Sequence, residues 1–406
     1  ASYGTDNAAP VTVDIDTDPE MRAIAGFAGM RGGKGLVMVK SGGNSFTSFS
    51  SESDTGLDQC TQAIRYKLSC QNASFDYTND MPQVVTVGAV NALGVKASYS
   101  TAGSSLLLAG LGGEYGAAHP DKPGKAGPAI VTTDLAGCDR GYARTNTDYY
   151  NDFEQPGTQI QKTLNPNCDY TSIMNGTSAA APTVTGVVAL MLGANPNLSW
   201  RDLRLILAKT ARKIDAARAP LVLPLTDGDY IAEPGWTKNA AGLWFHNWYG
   251  FGLVDAAAAV AMAKATTSYL PGAGLIDSGW NDAAATDTLN LVMPVGTKAR
   301  VESNITFSPT RTVEAVQIRV TIAGTAPLGD LGIELISPSG TRSVLMTAHN
   351  AFQSATSVSH LLLLSNAFNE ESTQGKWTLR VVDVNGRQDA VKQAILNNWS
   401  LRIYGR

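Results

Sequence analysis

The stretch Asn175-Gly176-Thr177-Ser178-Ala179-Ala180-Ala181-Pro182, followed by an apolar run to Gly193, decides how this sequence is read. Serine is a weak nucleophile. It needs a base, an acid that orients the base, and donors for the oxyanion. A serine at the start of a helix has donors at hand, because first-turn N–H groups lack intrahelical partners and point toward it. Gly176-Thr177 bring the chain around, the small residues after Ser178 permit close packing, and Pro182 falls in the first turns, where proline is tolerated. A Gly-Thr-Ser alone is commonplace and usually structural. The eight-residue string with an apolar helix behind it is far more specific and makes Ser178 the candidate nucleophile.

Outward from this string, apolar runs at 36–39, Val84–Val90 and 128–133 predict strands. Helices are predicted at 179–193 (buried), at 200–211 (amphipathic, with Ser199 as N-cap) and at 254–263 (Ala-rich). This alternation predicts an α/β domain with a mostly parallel sheet covered by helices. The character changes after residue 270. Pro271-Gly272-Ala273-Gly274 reads as a linker. Short alternating runs then follow at 299–307, 313–322, Leu331–Ile336, 343–346, 377–382 and 399–404. Turn signals such as Ser337-Pro338-Ser339-Gly340 and Asn385-Gly386 separate them, which predicts an all-β sandwich with Trp377 and Trp399 in its core. The expected organisation is an α/β domain over 1–270, a linker over 271–284 and a β-sandwich over 285–406.

Bulk properties agree with two domains. Of the 406 residues 44% are hydrophobic and 16% charged, which leaves room for a sizeable core, and the 40 glycines suit a secreted, loop-rich chain. A net charge of −4 gives neither nucleic acid nor an anionic membrane an electrostatic advantage. No apolar run approaches the roughly 20 residues of a membrane span; Leu106–Leu111 and 187–192 read as buried strand or helix segments. The four cysteines form no CxxC pair, and no histidine stands at zinc spacing. An even number favours two disulfides and an oxidising compartment, with local loops suggesting Cys60–Cys70 and Cys138–Cys168. The alternative is four buried thiols.

The string around Ser178 resembles the nucleophile motif of subtilisin-like serine proteases. Similarity to the kexin and furin (proprotein convertase) branch extends to Ala129-Ile130-Val131-Thr132-Thr133-Asp134-Leu135, to Asn197-Leu198-Ser199-Trp200-Arg201-Asp202-Leu203 and to Trp248-Tyr249-Gly250-Phe251-Gly252-Leu253-Val254-Asp255-Ala256. The β-region looks like their P domain, most clearly in Gly375-Lys376-Trp377-Thr378-Leu379-Arg380-Val381. Bacterial secreted kexin-like proteases are the type it resembles most. The resemblance implies that Asn44, in Ser41-Gly42-Gly43-Asn44, donates its amide to the oxyanion; read alone, an Asn after two glycines is a turn residue. It implies that Ser2-Tyr3-Gly4 is an edge that pairs with substrate backbone. It places Asp76 and the Asp6-Asn7 pair near acids that select basic side chains, although the aligned position of the pair is Asn7 and Asp76 needs a one-residue shift. Thr101 stands where the relatives have a calcium-binding glutamate and Lys40 where they have a tryptophan. Structural calcium is therefore left open and its ligands unassigned.

The family's triad Asp and His precede the oxyanion Asn, and no histidine lies before Asn44. His119, His246, His349 and His360 have the wrong context and read as surface or packing residues. The expectation is that this chain is the C-terminal portion of a longer secreted protease. Its N-terminal segment would supply the first strands, the Asp and the His, and a propeptide or dedicated chaperone is an expected partner. The alternative is a catalytically inactive binding or chaperone-like module in which Ser178 is a relic.

Overall fold

A computed structural model describes residues 1–47, 59–116, 127–144, 151–284, 289–295, 299–385 and 392–406. The α/β region is built on three parallel strands, β1 (Met38–Ser41), β2 (Val84–Val90) and β3 (Leu106–Leu111), in that spatial order. β2 is buried along its whole length, as a central parallel strand should be. The fourth predicted strand, β4 (Ile130–Thr133), does not join them. It pairs antiparallel with β5 (Tyr170–Met174), which leads directly into the turn before Ser178. The outer edge of β1 is not wholly bare, because Ser41 N–H donates to the Ala1 carbonyl (3.0 Å) and the Ala1 amine donates to Val39 O (2.6 Å).

Three longer helices follow. Helix α1 (Thr177–Ala194) lays Ala180, Ala181, Val184, Val188 and Met191 against Val39, Val85, Val87, Leu107 and Leu108 of the sheet. Helix α2 (Trp200–Thr210) begins with a capping box between Ser199 and Asp202, and α3 (Ala256–Ala265) is capped by Asp255. The prediction of a fully buried α1 needs correction. Pro182, Thr185, Gly186, Ala189, Leu190 and Gly193 recur at helical spacing and are exposed, so one side of an apolar helix faces outward. By length and composition α1 also meets the criterion for a membrane span, which the run-length reading missed; its other side packs on the sheet.

The sandwich consists of two antiparallel sheets. One has the order β6 (Val301–Phe307), β11 (Gly375–Asp383), β8 (Leu331–Ile336), β9 (Arg342–Met346). The other runs β12 (Ala394–Gly405), β7 (Val313–Gly324), β10 (Val358–Ser365). β6 alternates buried and exposed residues along its length, as a half-buried strand must. The expected linker is not a free spacer. Ile276–Asp277 and Asn281–Asp282 add short strands along β12, and the Trp200 indole donates to Gly272 O at 2.8 Å. Both predicted disulfides are present, Cys60–Cys70 and Cys138–Cys168. Asn385 is described; Gly386 of the same turn signal lies outside the described residues, as does His119.

The two regions are joined by buried contacts. Phe75, from the α/β region, inserts into the sandwich core and stacks on Phe352 with ring centroids 3.9 Å apart. The Asn72 side chain donates to Leu345 O (2.9 Å), Gln317 to Asp80 O (2.6 Å) and Ser104 to Leu364 O (2.6 Å). Arg201 of α2 forms a bidentate ion pair with Glu314.

Candidate active site

Gly176 turns the chain from β5 into α1 with φ 108° and ψ 162°, a conformation open essentially only to glycine. The turn is held by Tyr99, whose hydroxyl accepts Gly176 N–H (2.7 Å) and donates to the carbonyls of Gly112 and Gly113 (2.7 and 2.8 Å). Ser178 is thereby set at the second residue of α1. Pro182 has no N–H to offer the Ser178 carbonyl four residues earlier, and that oxygen accepts from the Ser2 hydroxyl at 3.2 Å. The Ser178 hydroxyl donates to Ser2 O at 3.3 Å.

Asn44 sits just beyond the carboxyl end of β1, where parallel sheets place their ligands. Its Oδ1 accepts from the Thr177 amide (2.8 Å) and the Thr177 hydroxyl (2.9 Å). These bonds fix the amide orientation and turn Nδ2 away from Thr177. Among the described residues Nδ2 has no hydrogen-bond partner and stays available as a donor. Asn44 and Ser178 were named from sequence; Thr177 and Tyr99, which hold them, were not. Thr177 lies inside the quoted motif; nothing local marks Tyr99.

The substrate-side residues named from sequence, Asn7 apart, meet at one cavity of about 150 Å³, lined among others by Ser2, Tyr3, Gly4, Asp6, Asn44, Asp76 and Ser178. Gly4 lies close over the Asp76 carboxylate: a Cβ there would stand 2.7 Å from Oδ2. Asp6, rather than Asn7, lines the cavity. Asn7 is tied to the Phe75 carbonyl (2.9 Å), while Asp6 accepts from the Ser45 hydroxyl at 2.5 Å. Burial pushes the Asp6 carboxyl up, opposed by the Ser45 bond and reinforced by Asp76. Lys40 is wholly buried behind the cavity and pairs with Asp76.

Among the described residues no histidine lines this cavity. His246 is buried beside Trp236 and Tyr249, accepts from Trp248 N–H, and is pushed down to about 3 by burial. His349 stacks on Tyr66 and is pushed down to about 4 by burial and Arg65; His360 hydrogen-bonds Ser359 in the sandwich. No group of three or more Asp, Glu, His or Cys side chains among the described residues is placed to hold a metal ion, and the Thr101 hydroxyl is engaged by Ser45 N–H (2.9 Å).

Comparison with known proteins fits this geometry. The subtilase family model matches residues 1–252, and the proprotein convertase P-domain model matches residues 313–403. The Aeromonas extracellular serine protease of Aeromonas sobria is 36% identical over 92% of this chain, and the microbial serine proteinase of Aeromonas salmonicida is 36% identical over 78%. The chain spans 62% and 51% of the length of these two relatives. The crystal structure of the Aeromonas sobria serine protease with its chaperone ORF2 superposes with a TM-score of 0.83 at 31% identity, covering 100% of this chain and 70% of that one. The chain belongs to the subtilase family and carries a proprotein convertase P domain.

Proposed function

We propose that this chain carries the nucleophile, oxyanion hole and substrate pocket of a secreted serine endopeptidase that cleaves peptide bonds through an acyl-enzyme at Ser178. One observation carries the reading: Asn44 Nδ2, held outward by Thr177, and the Ser178 hydroxyl open on the same cavity. The Ser178 oxygen attacks the scissile carbonyl and loses its proton to a base. The carbonyl oxygen becomes an oxyanion, which Asn44 Nδ2 and the Ser178 amide stabilise, the neighbouring first-turn amides being engaged by Asn44 and Gly176. Collapse expels the amine, and water then releases the acyl group from Ser178.

The base and its orienting acid are proposed to be a His and an Asp from outside the described residues. The bare apolar stripe of α1 supports a further segment or chain packing there. The acidic lining of the cavity favours a basic side chain before the scissile bond. Export is supported by two disulfides and by a relative named extracellular; a dedicated chaperone is proposed because the structural neighbour is a complex with one. Structural calcium remains a proposal with no ligands assigned.

Replacing Asn44 by Ala tests the assignment. In the natural protein it should lower kcat by about 10²–10³ with little change in KM; an unchanged kcat removes Asn44 from the oxyanion site. The competing reading, an inactive binding module, is favoured by the absence of a histidine from the cavity among the described residues and predicts no hydrolysis at all.

A further inference from the structure

A buried cation sits behind the substrate pocket. Lys40 is the third residue of β1 and its side chain is 0% exposed. An unpaired charge at such depth is costly, so its partner is informative. Lys40 Nζ donates to Asp76 Oδ2 at 2.6 Å and to Asn79 Oδ1 at 3.2 Å.

The Asp76 carboxylate is saturated by the protein itself. Oδ1 accepts the Thr78 amide (3.2 Å) and hydroxyl (2.6 Å); Oδ2 accepts the Thr5 amide (3.2 Å) and Lys40. A carboxylate has about four acceptor positions, so none is left for a substrate guanidinium. Asp6 lines the same cavity and accepts one hydrogen bond, from Ser45. Lys40 also cancels one of the cavity's two negative charges. A cationic side chain entering there meets one usable carboxylate rather than a pair.

We infer that Lys40 is an internal counter-ion that withdraws Asp76 from substrate recognition and leaves Asp6 as the carboxylate that binds a cationic side chain of the peptide before the scissile bond. The inference rests on the peptidase reading and specifies its substrate class. Asp76 then shapes the pocket floor and holds Thr5 and Thr78, while Asp6 supplies the charge. The pocket discriminates Arg or Lys from an uncharged side chain through one charge-assisted contact.

The test uses the natural protein and two peptide substrates that differ only in Arg or norleucine before the cleaved bond. The readout is the ratio of their kcat/KM values. Asp6→Asn should collapse the Arg preference by roughly 10- to 100-fold, the range of one charge-assisted bond. The double variant Lys40→Gln/Asp76→Asn removes both buried charges and keeps groups able to hydrogen-bond. It should leave the ratio within about threefold of wild type, since a neutralised pair changes no net charge. Retained Arg preference in Asp6→Asn, or its loss in the folded double variant, overturns the inference. If Asp6→Asn is not recovered folded, the double variant alone decides. A wild type that cleaves neither substrate overturns the peptidase reading and this inference with it, whereas cleavage with an unaltered ratio in Asp6→Asn overturns the inference alone.

Discussion

The sandwich and the α/β region treat their apolar residues differently. In the sandwich both inner faces are closed: Trp377 and Trp399 are 0% and 1% exposed, and one cluster runs from Val301 to Ile403. In the α/β region three parallel strands are covered by α1 on one side, yet Leu190, on the far side of that helix, is 60% exposed. The sandwich is a finished core, and it even takes Phe75 from its neighbour. The residues just after Phe75 include Asp76, so the closed region braces the loop that forms the pocket floor of the open one. The fold thus closes its core in the half that the proposed chemistry does not use and leaves, in the other half, an apolar helix face exposed.

The contrast can be broken most forcefully from the closed side. Trp377→Ala removes a wholly buried indole whose N–H also bonds Thr373 O, and should cost about 3–5 kcal/mol in chemical denaturation. A cost near that of a surface change would show that the sandwich core is loose. Leu190→Ala probes the open side. In residues 1–406 alone it should change stability by no more than about 0.5 kcal/mol. In the natural protein, if α1 is covered there as proposed, the cost should rise to about 2–3 kcal/mol. Equal small costs in both would leave the stripe uncovered.

A pH-dependent test lies where the regions meet. Glu233 is buried, bonds the Asn247 amide, and is pushed up to about 8 by burial. Its proton is held more tightly in the folded than in the unfolded chain, so its contribution is full below about 4.5 and is lost as pH rises toward 8. Glu233→Gln should therefore flatten the pH dependence, and the stability of the variant relative to wild type should increase from pH 5 to pH 8. A constant difference across that range would mean that Glu233 does not titrate there.

What could be read from sequence follows from how local each feature is. The turn into the helix at Ser178 was legible because Gly176, Ser178 and the helix behind them are contiguous. Both disulfides close short loops, and helix α2 announces itself through Ser199 and Asp202. The strand Val358–Ser365 was missed because its four consecutive leucines follow neither a period of two nor one of 3.6. The antiparallel pairing of Ile130–Thr133 was missed because a short apolar run does not reveal its partner. At the pocket, Asp6, Asp76 and Asn44 were named, but the pairing of Lys40 with Asp76 joins residues 36 apart. Its signal was a lysine inside an otherwise apolar strand, which requires a buried acid without saying which one.

Labelling with a serine-directed phosphonyl fluoride tests the central claim most directly, because the reagent reacts only with a serine that a base activates. On the natural, folded protein we expect one adduct per chain, on Ser178, lost in Ser178→Ala while the fold is kept. A folded natural protein that takes up no label, or labels equally well after Ser178→Ala, would contradict the account.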